Sequence, residues 1–119
     1  KTSKDRLRSM WFALVDFGMQ APGEFRLAEM MGSESRAHFD DMAELEVMQG
    51  GVLAETQAGI DDGTLVNTPA RTIETILASP AITLARRAAL RGDHPNQEEI
   101  EQIFALVWRG IAQGHDRAI

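Results

Sequence analysis

Two stretches near opposite ends of the chain carry apolar residues at one spacing. Leu7, Met10, Trp11, Leu14, Val15 and Gly18 fall at i, i+3, i+4, i+7, i+8 and i+11. Ile100, Ile103, Phe104, Val107, Trp108 and Ile111 repeat that pattern. This is the stripe of an amphipathic helix, which must bury one face against something else. Nowhere does an alternating run of strand length occur, so the pattern predicts an all-α fold. With 119 residues the chain is expected to form one domain, 1–119.

Helix punctuation divides the chain into five segments. The first stripe is expected to stop near Gln20, because Pro22 disfavours helical geometry in Ala21. A short second helix then runs from about Pro22 to Met31, with Phe25, Ala28 and Met31 inward and Gly32 ending it. Ser33 is placed to cap a long third helix over 34–60. There His38, Met42, Leu45, Gln49, Val52, Leu53, Thr56 and Ile60 share one face, with a kink or close backbone packing expected at Gly50-Gly51. Asp61-Asp62-Gly63 is a stop. Thr68 as cap and Pro69 as first helical residue predict a fourth helix to about Arg91. Its inward side is read as Ile73, Ile76, Leu77, Leu84 and Ala88, and Pro80 is expected to kink it. The fifth helix follows a possible cap at Asn96, with Glu98 and Glu99 at its positive end and Gly114 closing it.

Charge and composition remove several functions. There is no cysteine, which excludes disulfides, thiol nucleophiles and cysteine metal sites. No apolar run approaches the roughly 18 residues of a membrane span. The chain opens at Lys1 without the apolar core of a secretory leader, so a cytoplasmic location is expected. Residues 1–9 sum to +3, residues 24–62 to −8, and the whole to −6. That balance argues against a grip on nucleic acid by this chain alone. The acidic middle reads as a solvated helix face, or as steering for a cationic ligand.

Catalytic patterns are missing. Gly18-Met19-Gln20-Ala21-Pro22-Gly23 has the glycine spacing of a phosphate loop, but Glu24-Phe25 stand where Lys and Ser/Thr are needed. Gly-x-Ser-x-Gly, Glu-x-x-His and His-Glu-x-x-His are absent. His94 and His115 read as solvated. His38 with Asp41 or Glu44 is the one arrangement left for acid–base work or a metal, at spacings that acidic helices also produce by chance. No metal and no cofactor is expected.

Two features point to a ligand instead. His38 and Gln49 share an apolar stripe, as satisfied buried groups or as the few polar contacts of an apolar pocket. All six methionines (Met10, Met19, Met30, Met31, Met42 and Met48) lie in the first half of the chain, as plain core filling or as the adaptable wall of a pocket between the first three helices. The last two helices are rich in Ile, Leu, Val and Ala. Their faces are buried within the chain or close a symmetric homodimer.

Three stretches then stand in a telling order. They are Leu7-Arg8-Ser9-Met10-Trp11 through Phe17 with the break at Ala21-Pro22-Gly23-Glu24-Phe25-Arg26-Leu27, the turn Ala58-Gly59-Ile60-Asp61-Asp62-Gly63-Thr64-Leu65, and the closing Ile103-Phe104-Ala105-Leu106-Val107-Trp108-Arg109-Gly110-Ile111-Ala112. Together they resemble the C-terminal regulatory domain of TetR-family transcriptional repressors, over nearly the whole chain. The resemblance implies a five-helix, effector-binding and dimerising domain. Its helices at about 69–91 and 97–113 would form a four-helix interface with a second copy. It also implies a small apolar effector among the earlier helices, lined by Trp11, Phe12, Val15, Phe25, Met31, His38, Met42, Leu45 and Gln49. Dimer contacts are expected at Ile76, Leu84, Arg87, Ile103, Val107 and Ile111. Operator DNA would be bound only through the family's N-terminal helix-turn-helix, which this chain lacks and which would join at the basic Lys1–Arg8 end. Pro80 departs from the family, where that helix is continuous. The competing readings are a small helical enzyme using His38 with Asp41 or Glu44, and a helical protein-interaction module without a ligand.

Overall fold

The computed structural model describes residues 2–27 and 40–114, with side chains outside 40–50. All its regular elements are helices. α1 spans Ser3–Gln20, one turn longer than the apolar stripe predicts. The extra turn comes from a capping box. The Thr2 hydroxyl accepts the Asp5 amide at 3.1 Å, and the Asp5 carboxylate accepts the Thr2 amide at 3.4 Å. Its buried face is Ser3, Leu7, Trp11, Leu14, Val15 and Gly18, with Met10 half-buried. Pro22 ends it as expected and α2 begins, helical over 22–27. Phe25 turns inward onto Phe17, Ala85 and Ala89, and Arg26 Nε donates to the Ala89 carbonyl at 2.9 Å. The expected continuation to Met31, the Gly32 stop, the Ser33 cap and the start of the third helix at 34–39 lie outside the described residues.

α3, Asp40–Asp61, runs without interruption through Gly50-Gly51. The close backbone packing expected there is not found at Gly51, where a Cβ would stand an ordinary 3.5 Å from Met10 Cε. α3 stops as its Asp-Asp-Gly sequence requires, with Gly63 at φ +84°. The Asp62 carboxylate accepts the Ser3 hydroxyl at 2.8 Å and the Thr64 amide at 2.9 Å, joining the end of α3 to the start of α1. Hydrogen bonding by the Thr64 side chain foremost, then by Ser3 and the Thr64 amide, holds the Asp62 carboxyl below its ordinary value of 3.8. A carboxyl more acidic in the folded state stabilises the fold above its ordinary pKa and stops doing so as pH falls through the folded one. Asp62→Asn is therefore expected to lower the urea midpoint at pH 6, with the difference from wild type shrinking towards pH 2. A difference constant across that range would show that the carboxylate charge is irrelevant.

The link to α4 is pinned to the far end of the chain. Val66 N donates to Ile111 O at 2.9 Å and Gln113 N to Thr64 O at 2.8 Å, forming a one-residue antiparallel bridge between Leu65 and Ala112. This bridge corrects the expected C-terminus of the last helix. Ala112 is drawn into extended geometry, so the helix stops at Ile111 and not at Gly114. α4, Ala70–Arg91, also begins one residue later than expected. Pro69 is its cap, with ψ 137° outside the helical region, and its carbonyl accepts the Thr72 amide at 3.0 Å. Thr68, held out of the helical region by the following proline, makes no cap. Pro80 sits inside α4, which continues past it to a left-handed Gly92 at φ +66°. α5, Gln97–Ile111, is capped by Asn96, whose side chain accepts the Glu99 amide at 2.8 Å, as the sequence predicts.

α4 is the central helix, packed against α1, α3 and α5. One core joins Leu7, Trp11, Leu14 and Val15 of α1 to Leu65, to Ile73, Leu77, Ala81 and Leu84 of α4, and to Ile100, Phe104, Trp108 and Ile111 of α5. Ile76, expected inward, is 49% exposed. Ile73 and Leu77 define the buried line, and Ile76 lies about 100° around the helix from its neighbour Leu77.

Candidate functional site

Helix α1 is held on α4 at both ends of a short span. At one end Gly18 meets Ala85 so closely that a Cβ would fall 2.5 Å from its Cα, Cβ and carbonyl oxygen. At the other, the Trp11 indole N–H donates to the Leu77 carbonyl at 2.8 Å in a buried bond. Leu77 lies in the turn before Pro80. That proline has no N–H for the carbonyl of Ile76, so the helix ladder is already interrupted here. Beside this turn the helices part and leave a cavity of about 40 Å³. Leu7, Met10, Trp11 and Leu14 of α1 form one wall, and Glu74, Leu77, Ala78 and Ile82 of α4 the other. Val52 of α3 lines it as well.

Two features distinguish this cavity. Its described walls are apolar except for Glu74, a half-buried carboxylate with no hydrogen bond or ion pair among the described residues. Its aromatic wall is fixed. Trp11 spends its N–H on Leu77, and Phe12 and Phe104 stand edge-on to the Trp11 ring, each with centroids 5.4 Å away. At about 10–15 Å³ per water-sized centre, the enclosed space takes roughly three such groups.

The expected pocket residues divide. Trp11 lines the cavity. Phe12 lies behind it, under the Arg8 guanidinium at 4.3 Å. Val15 is buried in the core one turn further on, and Phe25 belongs to the separate cluster with Phe17, Ala85 and Ala89. Neither lines the described cavity. Met31 and His38 lie outside the described residues, as do the side chains of Met42, Leu45, Gln49, Asp41 and Glu44. The described cavity lies between α1, α3 and α4, not between the first three helices. The reason is the Gly18–Ala85 approach, which brings α4 onto the face of α1. Glu74 also lines the cavity, outside the expected set. It is the one acid in α4, next to Ile73 and three residues before Leu77.

The expected dimer contacts also divide. Leu84 and Ile111 are each 1% exposed within a single chain, so they belong to the core and offer nothing to a partner. Ile103 and Val107 are half-buried against that core. Arg87 is paired to Asp93 at 3.2 Å and Glu99 at 3.1 Å, with Glu99 foremost in holding its guanidinium protonated. The exposed apolar residues of these helices are Ile76 and Leu90, each 49%, and Leu106, 64%. Ile76, Thr83 and Leu90 fall on one line of α4, at i, i+7 and i+14.

The two arginines at the start of α1 are ion-paired, and Lys4 rests on an aromatic ring. Arg6 pairs with Glu55 at 2.9 Å, Arg8 with Glu101, and Lys4 lies over the Trp108 ring at 5.3 Å. Among the described residues no group of three metal-ligating side chains occurs, and no helix is long and apolar enough to cross a membrane. No family model, curated protein or solved structure matches the chain.

Proposed function

We propose that this chain is the effector-binding and dimerising domain of a TetR-like transcriptional repressor. One observation carries the reading: the cavity is walled by α1 on one side and by α4 on the other. α1 is the helix on which a DNA-reading head would be mounted, and α4 would belong to the dimer. A ligand between them is a wedge between the moving part and the fixed part. It acts by favouring the arrangement in which its walls stand further apart, and only to the extent that it binds that arrangement better. Two heads set at a changed separation no longer match two half-sites a helical turn apart.

The homodimer would use the outward side of α4 and α5, around Ile76, Leu90 and Leu106. Exposed apolar side chains of this kind are what a second copy covers. Leu106→Glu is the test. In a lone chain this position is mostly solvated, so folding stability should change by less than about 0.5 kcal/mol. In the dimer it would bury a charge opposite an apolar face. Sedimentation should show a wild-type dimer and a folded Leu106→Glu monomer. A wild-type monomer at roughly 100 µM, or a variant that stays dimeric, would remove this interface. A thermal-shift screen of small apolar molecules tests the pocket. A dimer indifferent to all of them would instead fit a ligand-free interaction module.

A further inference from the structure

We infer that the cavity selects a cation, an alkylammonium group on an apolar body; this inference rests on the effector-pocket reading above. Glu74 is the charged group in its described walls, and it has no ion pair or hydrogen bond among the described residues. A carboxylate beside apolar walls attracts a cation more strongly than it would in open water, because the walls have a lower dielectric. Opposite it on α1 is Trp11. Its N–H is already committed to Leu77, so what the indole has left to offer a ligand is its π system. Indole is the best of the side-chain rings for holding an ammonium over its face. The remaining walls, among them Met10, Val52 and Ala78, are apolar and suit the carbon substituents.

An anionic ligand would be repelled by Glu74 and would find no lysine, arginine or histidine in the described walls. A neutral apolar ligand would fit the walls and leave the carboxylate unpaired. The enclosed 40 Å³ admits a small head of a few non-hydrogen atoms, with a longer body extending out of the cavity.

Three probes of matched length separate the possibilities: n-butylammonium, n-butanol and butyrate. Each is titrated by calorimetry into the intact chain and into Glu74→Gln, with circular dichroism confirming that the variant is folded. Butylammonium should bind about tenfold tighter than butanol, and butyrate more weakly than either. In Glu74→Gln the preference for butylammonium over butanol should disappear while butanol binding is retained. Equal binding of butanol and butylammonium, or a preference that survives Glu74→Gln, overturns cation selection and leaves the pocket standing. Failure of all three probes overturns both cation selection and the pocket reading.

Discussion

Gly18→Ala should destabilise the fold by about 2 kcal/mol, although alanine is the better helix former. Two effects oppose each other. Exchanging glycine for alanine inside a helix ordinarily stabilises by roughly 1 kcal/mol. Here the new Cβ would lie 2.5 Å from the Cα, Cβ and carbonyl oxygen of Ala85. None of these belongs to the far end of a flexible side chain, so α1 and α4 must move apart as rigid bodies. Overpacking of that kind costs about 3 kcal/mol at the upper end of its usual range. The difference leaves a net loss near 2 kcal/mol, to be read from urea unfolding. Gly51→Ala supplies the opposite sign in the same chain. Its Cβ would meet Met10 Cε at an ordinary 3.5 Å, so the helix-propensity gain of about 0.5–1 kcal/mol should survive. Equal effects of the two substitutions would show that the α1–α4 approach is not tight.

That contrast marks how far the sequence could be read. The stripes of α1 and α5 repeat a 3.6-residue period over three turns, and the signals at Pro22, Asp61-Asp62-Gly63, Gly92 and Asn96 are local. Each acts within a few residues, so each was legible. Thr2-x-x-Asp5 was equally local, and its capping box accounts for the extra turn of α1. What local signals do not encode is which helix faces lie together. Gly18 and Ala85 are far apart in sequence, and nothing near either names the other. Yet their approach sets α4 on α1, and the described cavity lies between these two helices and α3. Val15, Phe25, Leu84 and Ile111 are apolar and inward, as their spacing implies, but a spacing cannot say whether inward means cavity, core or partner. Glu74 is not legible from spacing, because an acid beside a stripe usually faces water, and only the cavity it borders gives it meaning.

Trp11→Ala should be more damaging than either glycine substitution. Trp11→Ala is expected to lose about 3–5 kcal/mol, the usual loss for deleting a large buried aromatic ring, because neighbouring side chains close only part of the space. Trp11→Phe separates the ring from its N–H. It keeps aromatic packing near Phe12 and Phe104 and removes the donor to Leu77, for a smaller loss of about 1–2 kcal/mol. Trp108→Phe should be milder still. The Trp108 indole nitrogen is buried without a partner among the described residues, so this substitution deletes an unsatisfied donor as well as volume. If Trp108→Phe proves as damaging as Trp11→Phe, the Leu77 bond contributes nothing beyond ring size. Trp11→Ala should also respond to free indole. The deleted side chain leaves an apolar space continuous with the natural cavity, and such spaces take up aromatic molecules of matching shape. Indole should therefore raise the melting temperature of Trp11→Ala while leaving Gly18→Ala, damaged by crowding, nearly unchanged. A rescue shared by both variants would mean that indole binds elsewhere, and that Trp11 does not form the wall between α1 and α4.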